Sequence, residues 1–98
     1  KELVVKPKKG MSYQKHNQRS EIWLVIKGSC EVIYAEENPE LKETIVLNKF
    51  DKFFVKKGHW HQITNPFDKD CHLIELQYGN SVVEEDIERL SFYKEKKI

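Results

Sequence analysis

The sequence predicts an all-β fold made of short antiparallel strands. Short runs rich in β-branched and aromatic residues recur at intervals of about ten residues. Turn-forming pairs, such as Gly28-Ser29 and Asn65-Pro66, separate these runs, and no helical stretch lies between them. Together these features indicate an antiparallel sandwich or a small barrel.

The first half of the chain opens with a candidate edge strand in an N-terminal arm over residues 1–8, which Pro7 ends. The candidate strands of this half are residues 3–5, 11–16, 21–26, 30–35 and 44–47. The turn at Gly28-Ser29 predicts that the fourth of these pairs with the third. The polar loop over residues 36–40 predicts a hairpin between the last two.

In the second half, the candidate strands are residues 52–55, 59–64 and 71–78. Period-two alternation places Leu73, Glu75 and Gln77 on one face of the last strand. Its other face, with apolar side chains such as Ile74 and Leu76, is expected to meet the outer core. The polar face is expected to line a pocket.

The C-terminal region departs from the strand pattern. Ser81 can cap a helix, and acidic residues follow in what would be its first turn. We therefore expect a short C-terminal helix or turn that packs Val83, Ile87 and Leu90 on the barrel. Residues 91–98 are expected to be a frayed tail, and the 98 residues to form a single domain.

Composition excludes several classes of partner. Lysine and arginine (17) nearly balance aspartate and glutamate (16), so a net charge of +1 gives no reason to expect nucleic acid or an anionic membrane. No apolar run approaches the ~20 residues that span a bilayer, and the N-terminus lacks the apolar core of a signal peptide. A cytoplasmic location is therefore expected.

The two cysteines, Cys30 and Cys71, are too few for a disulfide framework and too far apart in sequence for a paired zinc motif. Both lie in apolar, strand-like contexts. We therefore expect them to be buried structural thiols.

Four side chains suggest a metal site. Gln14 and His16 share a strand face, Glu21 follows across a turn, and His61 lies in a later strand. Two imidazoles, a carboxylate and an amide oxygen suit a first-row divalent ion such as zinc, manganese, iron or cobalt. The alternative is that both histidines are hydrogen-bonded strand residues without a metal, and His59 is the second choice of histidine ligand.

These residues resemble two motifs of the cupin superfamily. Residues 14–16 (Gln-Lys-His) and 19–23 (Arg-Ser-Glu-Ile-Trp), ending at Gly28, resemble the first cupin motif as found in type II phosphomannose isomerases. Residues 58–61 (Gly-His-Trp-His), followed by Asn65-Pro66, resemble the second motif. Residues 73–79 and 84–90 are similar to the C-terminal signature of the same isomerases.

The resemblance implies a double-stranded β-helix, or jelly roll, with one divalent metal ion on Gln14, His16, Glu21 and His61. It also implies interconversion of mannose-6-phosphate and fructose-6-phosphate, often in one half of a bifunctional enzyme whose other half is a guanylyltransferase. Cupins often pair, and several outward apolar side chains suggest a homodimer. These side chains include Ile22, Leu24 and Phe54.

The chain departs from the family pattern at several places, among them Asn17 and Gln18, where the family often has further histidines. Lys56 stands where a proline is usual and Phe50 where a glycine is usual, and both changes affect turns rather than ligands. The closing Tyr-Gly-Arg of the family is not reproduced in residues 91–95. Substrate phosphate would therefore need another cation.

An aldose-ketose isomerase moves a proton through an enediol, so it needs a base and groups that hold the sugar phosphate. Glu75 is the candidate base or proton shuttle, the alternative being a surface carboxylate. Arg19 is a candidate to bind phosphate or to orient Glu21. The remaining candidates for substrate binding are Trp23, which can also be a core residue, Gln77 and Arg89.

Three functions follow from this sequence. The first is a metal-dependent isomerase of mannose-6-phosphate and fructose-6-phosphate. The second is a non-catalytic, metal-containing cupin that binds a sugar or small acid. The third keeps the enzyme but changes the reaction, to nucleotide-sugar epimerisation or to oxygen-dependent chemistry on iron.

Overall fold

A computed structural model describes residues 1–94, and these form ten strands and no helix. The strands are β1 (Glu2–Val5), β2 (Lys9–Gly10), β3 (Tyr13–Lys15), β4 (Arg19–Lys27), β5 (Cys30–Ala35), β6 (Glu43–Leu47), β7 (Lys52–Val55), β8 (Trp60–Asn65), β9 (Cys71–Gly79) and β10 (Glu88–Ser91). None of the described residues forms a helix that could cross a membrane.

The strands form two antiparallel sheets. One has four strands in the order β1-β9-β4-β7, and the other has the order β10-β3-β8-β5-β6, with β2 added to β8. Trp23 and Leu73 from the first sheet and Val32 and Ile63 from the second are fully buried in one apolar cluster. The predicted all-β jelly roll is confirmed, because both sheets turn their apolar alternate residues into a common core.

The predicted pairing of β4 with β5 is wrong. The turn at Gly28-Ser29 carries the chain from one sheet to the other, where β5 pairs with β6 and β8. Gly28 has φ +76°, and a Cβ there would collide with the main-chain oxygen of Asp70. A short turn marks a reversal of the chain, but the core decides which neighbour the next strand takes.

Cys30 and Cys71 form a disulfide bond, so the prediction of free thiols is wrong, although both side chains are fully buried. The bond joins the first residue of β5 to the first residue of β9, and 41 residues separate them in sequence. It links the two sheets at the end of the barrel. Sequence spacing could not show that two strand starts in different sheets lie opposite each other.

The predicted C-terminal helix is also wrong. Residues 81–87 follow an irregular path with a turn, and β10 pairs with β3. Val83 and Leu90 are exposed rather than packed on the barrel. The capping serine and the acidic residues are compatible with a helix, but the open edge of β3 offers strand hydrogen bonds to residues 88–91. Of the predicted tail, Ser91 belongs to β10 and residues 95–98 lie outside the described part.

The outer face of the four-stranded sheet is unusually apolar. Ile22, Phe54 and Leu76 lie side by side on three neighbouring strands. Phe54, Leu76 and Ile74 are 59%, 57% and 42% exposed. The expectation that the apolar face of β9 meets the outer core is therefore wrong, because the inward positions of that strand belong to Leu73 and Glu75.

Candidate metal centre

The inward side chains of β4 change from polar to apolar along the barrel. Arg19, Glu21 and Trp23 alternate inward, and all three are buried. On β9, Gln77 lies opposite Glu21, and Glu75 lies opposite Trp23. Because alternate residues of a strand share a face, this register gathers the polar side chains at one end of the barrel.

Two histidines join Glu21 at this end. His16 directly follows β3, and His61 lies on β8 opposite Gln14. The Nε2 atom of His16 lies 3.5 Å from Oε2 of Glu21, and Nε2 of His61 lies 3.9 Å from Oε1. One donor atom from each of these three buried residues lies within 4.8 Å of the others. The structure therefore brings together three of the four predicted ligands.

Main-chain carbonyls set the tautomer of both imidazoles. Nδ1 of His16 lies 2.7 Å from the carbonyl oxygen of Asp86, and Nδ1 of His61 lies 3.0 Å from that of His59. Since a carbonyl oxygen only accepts hydrogen bonds, each Nδ1 carries a proton. In the neutral rings, the lone pairs are then on Nε2, which faces Glu21. Carbonyl partners of this kind also orient histidines that bind metals.

Nε2 of His61 is buried and has no hydrogen-bond partner among residues 1–94. Burial lowers the pKa of His61 to about 4, the largest cause being desolvation of the charged ring. The ring is therefore neutral at pH 7. A buried lone pair with no donor beside it is costly, and a metal ion is one group that would satisfy it.

Gln14 lies beside the cluster but turns its amide nitrogen toward it. Its Oε1 accepts a hydrogen bond from Oγ of Ser12 at 2.6 Å, and its Nε2 lies 3.3 Å from Nε2 of His16. An amide nitrogen is not a metal ligand. Ligation by Gln14 would require the amide to rotate and to give up its bond to Ser12, so its role as a fourth ligand stays a prediction.

Arg19 is the cation of the cluster. Its Nε donates to Oε2 of Glu21 at 3.1 Å, and its Nη1 donates to the carbonyl oxygen of Val83 at 3.3 Å. Its Nη2 lies 3.2 Å from Nε2 of His16. The buried carboxylate is therefore paired, as buried charges must be.

Glu75 is buried and held by two donors on the polar side of the core. Its Oε2 accepts from the indole Nε1–H of Trp23 at 3.2 Å, and its Oε1 accepts from Nε2 of Gln77 at 2.6 Å. Trp23 itself is only 1% exposed, so its predicted role as a sugar-stacking surface is wrong. Its ring packs against Phe53 and His61 instead.

A cavity of about 320 Å³ opens over these side chains. Its lining includes His16, Glu21, Glu75 and Gln77, together with Arg89 from β10. Arg89, one of the predicted substrate-binding residues, lies on β10 opposite Gln14 and is exposed at the rim. The cavity therefore combines buried acids and the imidazole of His16 with a cation at its mouth, whereas His61 lines the neighbouring cavity.

Sequence reasoning missed Asp86. Its two carboxylate oxygens accept hydrogen bonds from the main-chain N–H groups of Asn17 and Gln18 at 2.9 and 2.7 Å. These bonds, led by the one from Asn17, lower the pKa of Asp86. Asp86 thus ties the C-terminal segment to the loop before β4. Nothing in the acidic run over residues 84–86 distinguishes Asp86 from its neighbours or points to the distant N–H groups that it binds.

His59, the second-choice ligand, stays outside the cluster. Its carbonyl fixes the ring of His61, but its own side chain lines a different cavity with Phe54 and Trp60. His59 would share a strand face with His61 if both lay on one strand, but β8 begins only at Trp60.

Residues 1–92 match the family described as mannose-6-phosphate isomerase C-terminal. The chain belongs to this family. The resemblance seen in the sequence motifs is therefore confirmed, and the buried His16, Glu21 and His61 cluster lies at the positions that carried it.

Among the relatives of this domain is the xanthan biosynthesis protein XanB of Xanthomonas campestris pv. campestris, which is 34% identical over 89 residues. The alginate biosynthesis protein AlgA of Pseudomonas aeruginosa is 31% identical over 90 residues. A mannose-1-phosphate guanylyltransferase, ManC of Salmonella typhimurium, is 33% identical over 89 residues. The alignments cover 91%, 92% and 91% of this chain. They cover only 18%, 18% and 17% of those proteins, so the chain spans under a fifth of the relatives' length.

Solved structures share the fold at low sequence identity. A dTDP sugar isomerase from Desulfovibrio desulfuricans superposes with a TM-score of 0.80 at 11% identity, over 94% of this chain and 63% of that one. A 3,4-ketoisomerase from Helicobacter canadensis superposes with a TM-score of 0.73 at 20% identity, over 91% of this chain and 67% of that one. These similarities establish the barrel and its topology.

Proposed function

We propose that this domain interconverts mannose-6-phosphate and fructose-6-phosphate with the help of one divalent metal ion. The observation that carries the proposal is the buried cluster of His16, Glu21 and His61 beneath a cavity that also contains Glu75. Membership of the mannose-6-phosphate isomerase C-terminal family supports the choice of substrate.

The donor set fits a first-row divalent ion. Both histidines bring Nε2 close to Glu21, and Nε2 of His61 has no hydrogen-bond partner in the part of the chain that the structure describes. Zinc, manganese, iron and cobalt all accept such a mixture of nitrogen and oxygen ligands. When bound, the ion would act as a Lewis acid on sugar oxygens. Gln14 is the proposed fourth ligand after rotation of its amide.

Glu75 is the proposed base. It would remove the proton from C2 of the aldose while the carbonyl oxygen at C1 gains a proton, which forms the enediol. Return of the proton to C1, with loss of the proton from the hydroxyl on C2, would then give the ketose. Trp23 and Gln77 hold one carboxylate oxygen each, so the group is oriented before substrate arrives. Burial at the edge of the apolar core is the environment that suits proton transfer by a carboxyl group.

Two arginines have different proposed roles: Arg89 binds the substrate phosphate, and Arg19 pairs with Glu21. Arg89 is exposed at the rim of the cavity, and we assign the substrate phosphate to it. Arg19 already makes contacts with Glu21, Val83 and His16. These contacts support a role in which Arg19 orients Glu21 more than one in which it binds phosphate. Gln77 faces the same cavity and is the proposed contact for sugar hydroxyls.

A coupled assay from fructose-6-phosphate, with metal removed by chelation and then added back, tests the proposal. We expect turnover only with metal, and a loss of roughly 100-fold or more in kcat for Glu75→Gln. Glu31→Gln, which alters a half-buried carboxylate on β5, is the matched control and should retain activity. Metal binding without turnover would instead favour the non-catalytic, sugar-binding alternative.

The homodimer predicted from the sequence stays a prediction. The row of Ile22, Phe54 and Leu76 on the outer sheet face is the surface on which it depends. Light scattering after size exclusion should give twice the chain mass for the unaltered protein and the chain mass for Ile22→Lys. A monomer in both cases would contradict it.

A further inference from the structure

The guanidinium group of Arg19 is hydrogen-bonded to two of the atoms that would bind a metal ion. Its Nη2 donates to Nε2 of His16 at 3.2 Å, and its Nε donates to Oε2 of Glu21 at 3.1 Å. Arg19 is only 5% exposed, and its third contact, to the carbonyl of Val83, holds it in place. The cluster is therefore already served by a cation that belongs to the chain.

The lone pair of His16 cannot serve both cations. Because Nδ1 of this ring carries the proton donated to Asp86, Nε2 has a single lone pair in the ring plane. The donors beside that lone pair are Nη2 of Arg19 at 3.2 Å and the amide nitrogen of Gln14 at 3.3 Å, so the rotation of the Gln14 amide and the release by Arg19 must both precede metal binding. Glu21 differs, because one oxygen faces Arg19 and the other lies 3.9 Å from His61. Arg19 can therefore stay on Glu21 while it releases His16.

We propose that Arg19 is an internal counter-ion that competes with the divalent metal and must release His16 before the ion can bind. The inference rests on the metal site of the proposed function and adds the residue that sets its affinity. In the metal-free state, Arg19 neutralises Glu21 and prevents a buried, unpaired carboxylate. In the metal-bound state, its positive charge opposes the ion across a short, buried distance.

This role differs in sign from a purely orienting one. A residue that only positions Glu21 would strengthen metal binding, and its loss would weaken affinity about 10–100-fold. A competitor lowers metal affinity, so its loss strengthens binding. The same loss should destabilise the metal-free protein, because Glu21 then lacks its partner, and bound metal should reverse this destabilisation.

The test is a Co²⁺ titration of chelator-treated protein, followed by visible absorption and by calorimetry. Arg19→Met removes the competing cation, and Arg89→Met removes the same charge from the rim of the same cavity. We expect Arg19→Met to bind Co²⁺ about tenfold or more tightly than the unaltered protein. Arg89→Met should change the affinity less than about threefold, because its charge lies in solvent.

Thermal unfolding supplies the second measurement. Without metal, Arg19→Met should unfold at a lower temperature than the unaltered protein. Saturating Co²⁺ should raise the unfolding midpoint of Arg19→Met by more than it raises that of the unaltered protein. If Arg19→Met fails to fold without metal, Arg19→Lys is the second variant. It keeps the charge with one nitrogen, which cannot reach both Glu21 and His16, so its Co²⁺ affinity should exceed that of the unaltered protein.

The outcomes separate this inference from the function on which it rests. Weaker Co²⁺ binding by Arg19→Met or Arg19→Lys than by the unaltered protein would overturn the counter-ion role and leave the metal site intact. Equal gains in Arg19→Met and Arg89→Met would also overturn it, since they would show a general charge effect. If no variant, including the unaltered protein, bound Co²⁺, the proposed metal site would fail and this inference with it.

Discussion

The two ends of the barrel interior are built from the same pair of strands, yet they differ in chemistry. At one end, β4 and β9 turn Glu21 and Gln77 toward each other, and at the other end Val25 and Leu73. Trp23 lies between them, with its ring in the core and its Nε1–H on the carboxylate of Glu75. The boundary between site and core is thus one side chain wide.

The comparison shows how a small domain can hold a polar site without losing its fold. The apolar end supplies the hydrophobic burial and the disulfide, whereas the polar end must satisfy each buried charge with hydrogen bonds. Antiparallel register keeps the two apart, because Glu21 lies opposite Gln77 at one end and Val25 lies opposite Leu73 at the other. Substitutions at the two ends should therefore affect different measurements.

The disulfide at the apolar end should have the largest effect on stability. The double variant Cys30→Ala/Cys71→Ala opens a loop with a sequence separation of 41 residues and should lower the free energy of unfolding by about 4 kcal/mol. Co²⁺ affinity should not change, since the bond lies away from the cluster. Denaturant unfolding measures the first and titration the second.

A thiol count on the denatured, unreduced protein is the control for that prediction. It should find no free thiol. Two free thiols in protein purified from the cytoplasm would show that the bond does not form in that compartment, where disulfides are rare.

Leu73→Ala tests the apolar end by packing alone. Leu73 is fully buried in the main cluster, so its truncation should cost about 3 kcal/mol of unfolding free energy through lost burial and a cavity. The matched variant Leu76→Ala, on the exposed face of the same strand, should cost far less. Equal losses in chemical denaturation would mean that the outer face is covered as well.

Acid should weaken the polar end. The folded-state pKa of His61, about 4, lies below the value of 6.5 for a free imidazole, so the unfolded chain binds a proton that the folded chain refuses. The stability from this ring is fully present above pH 6.5 and is lost as pH falls through 4. The loss should reach roughly 2–3 kcal/mol at pH 4 in metal-free protein. His61→Gln should flatten the urea-unfolding profile between these pH values, and an unchanged profile would contradict the assignment.

Trp23→Phe tests the residue that lies between the apolar core and the polar site, and it has the smallest expected effect. The change keeps an aromatic ring in the core but removes the donor to Glu75, which should cost about 1–2 kcal/mol. In the isomerase assay, kcat should fall more than KM changes, because Glu75 loses one of its two orienting bonds. Phe53→Leu, which alters the neighbouring ring without touching Glu75, serves as the comparison.

Much of the site was predictable because its residues fall on strands with a period of two. His16 and Glu21 flank the short loop before β4, and His61 was placed with them by its strand and by the resemblance to known motifs. The orientation of Gln14 and the contacts of Arg19 were not predictable. Both depend on which of several neighbouring donors bonds to a given acceptor in the folded chain, and sequence spacing does not determine this.

Local alternation and turn chemistry are enough to predict the β architecture, the turns and the inward positions of β4 and β9. The crossover after Gly28, the disulfide, the strand in place of a C-terminal helix, and the bond from Asp86 to the loop before β4 depend on tertiary contacts. The disulfide, the β10–β3 pairing and the Asp86 bond each join segments far apart in the chain, and the crossover depends on which distant strands β5 meets. Their energies depend on where the two sheets meet, so they exist only once the barrel has closed.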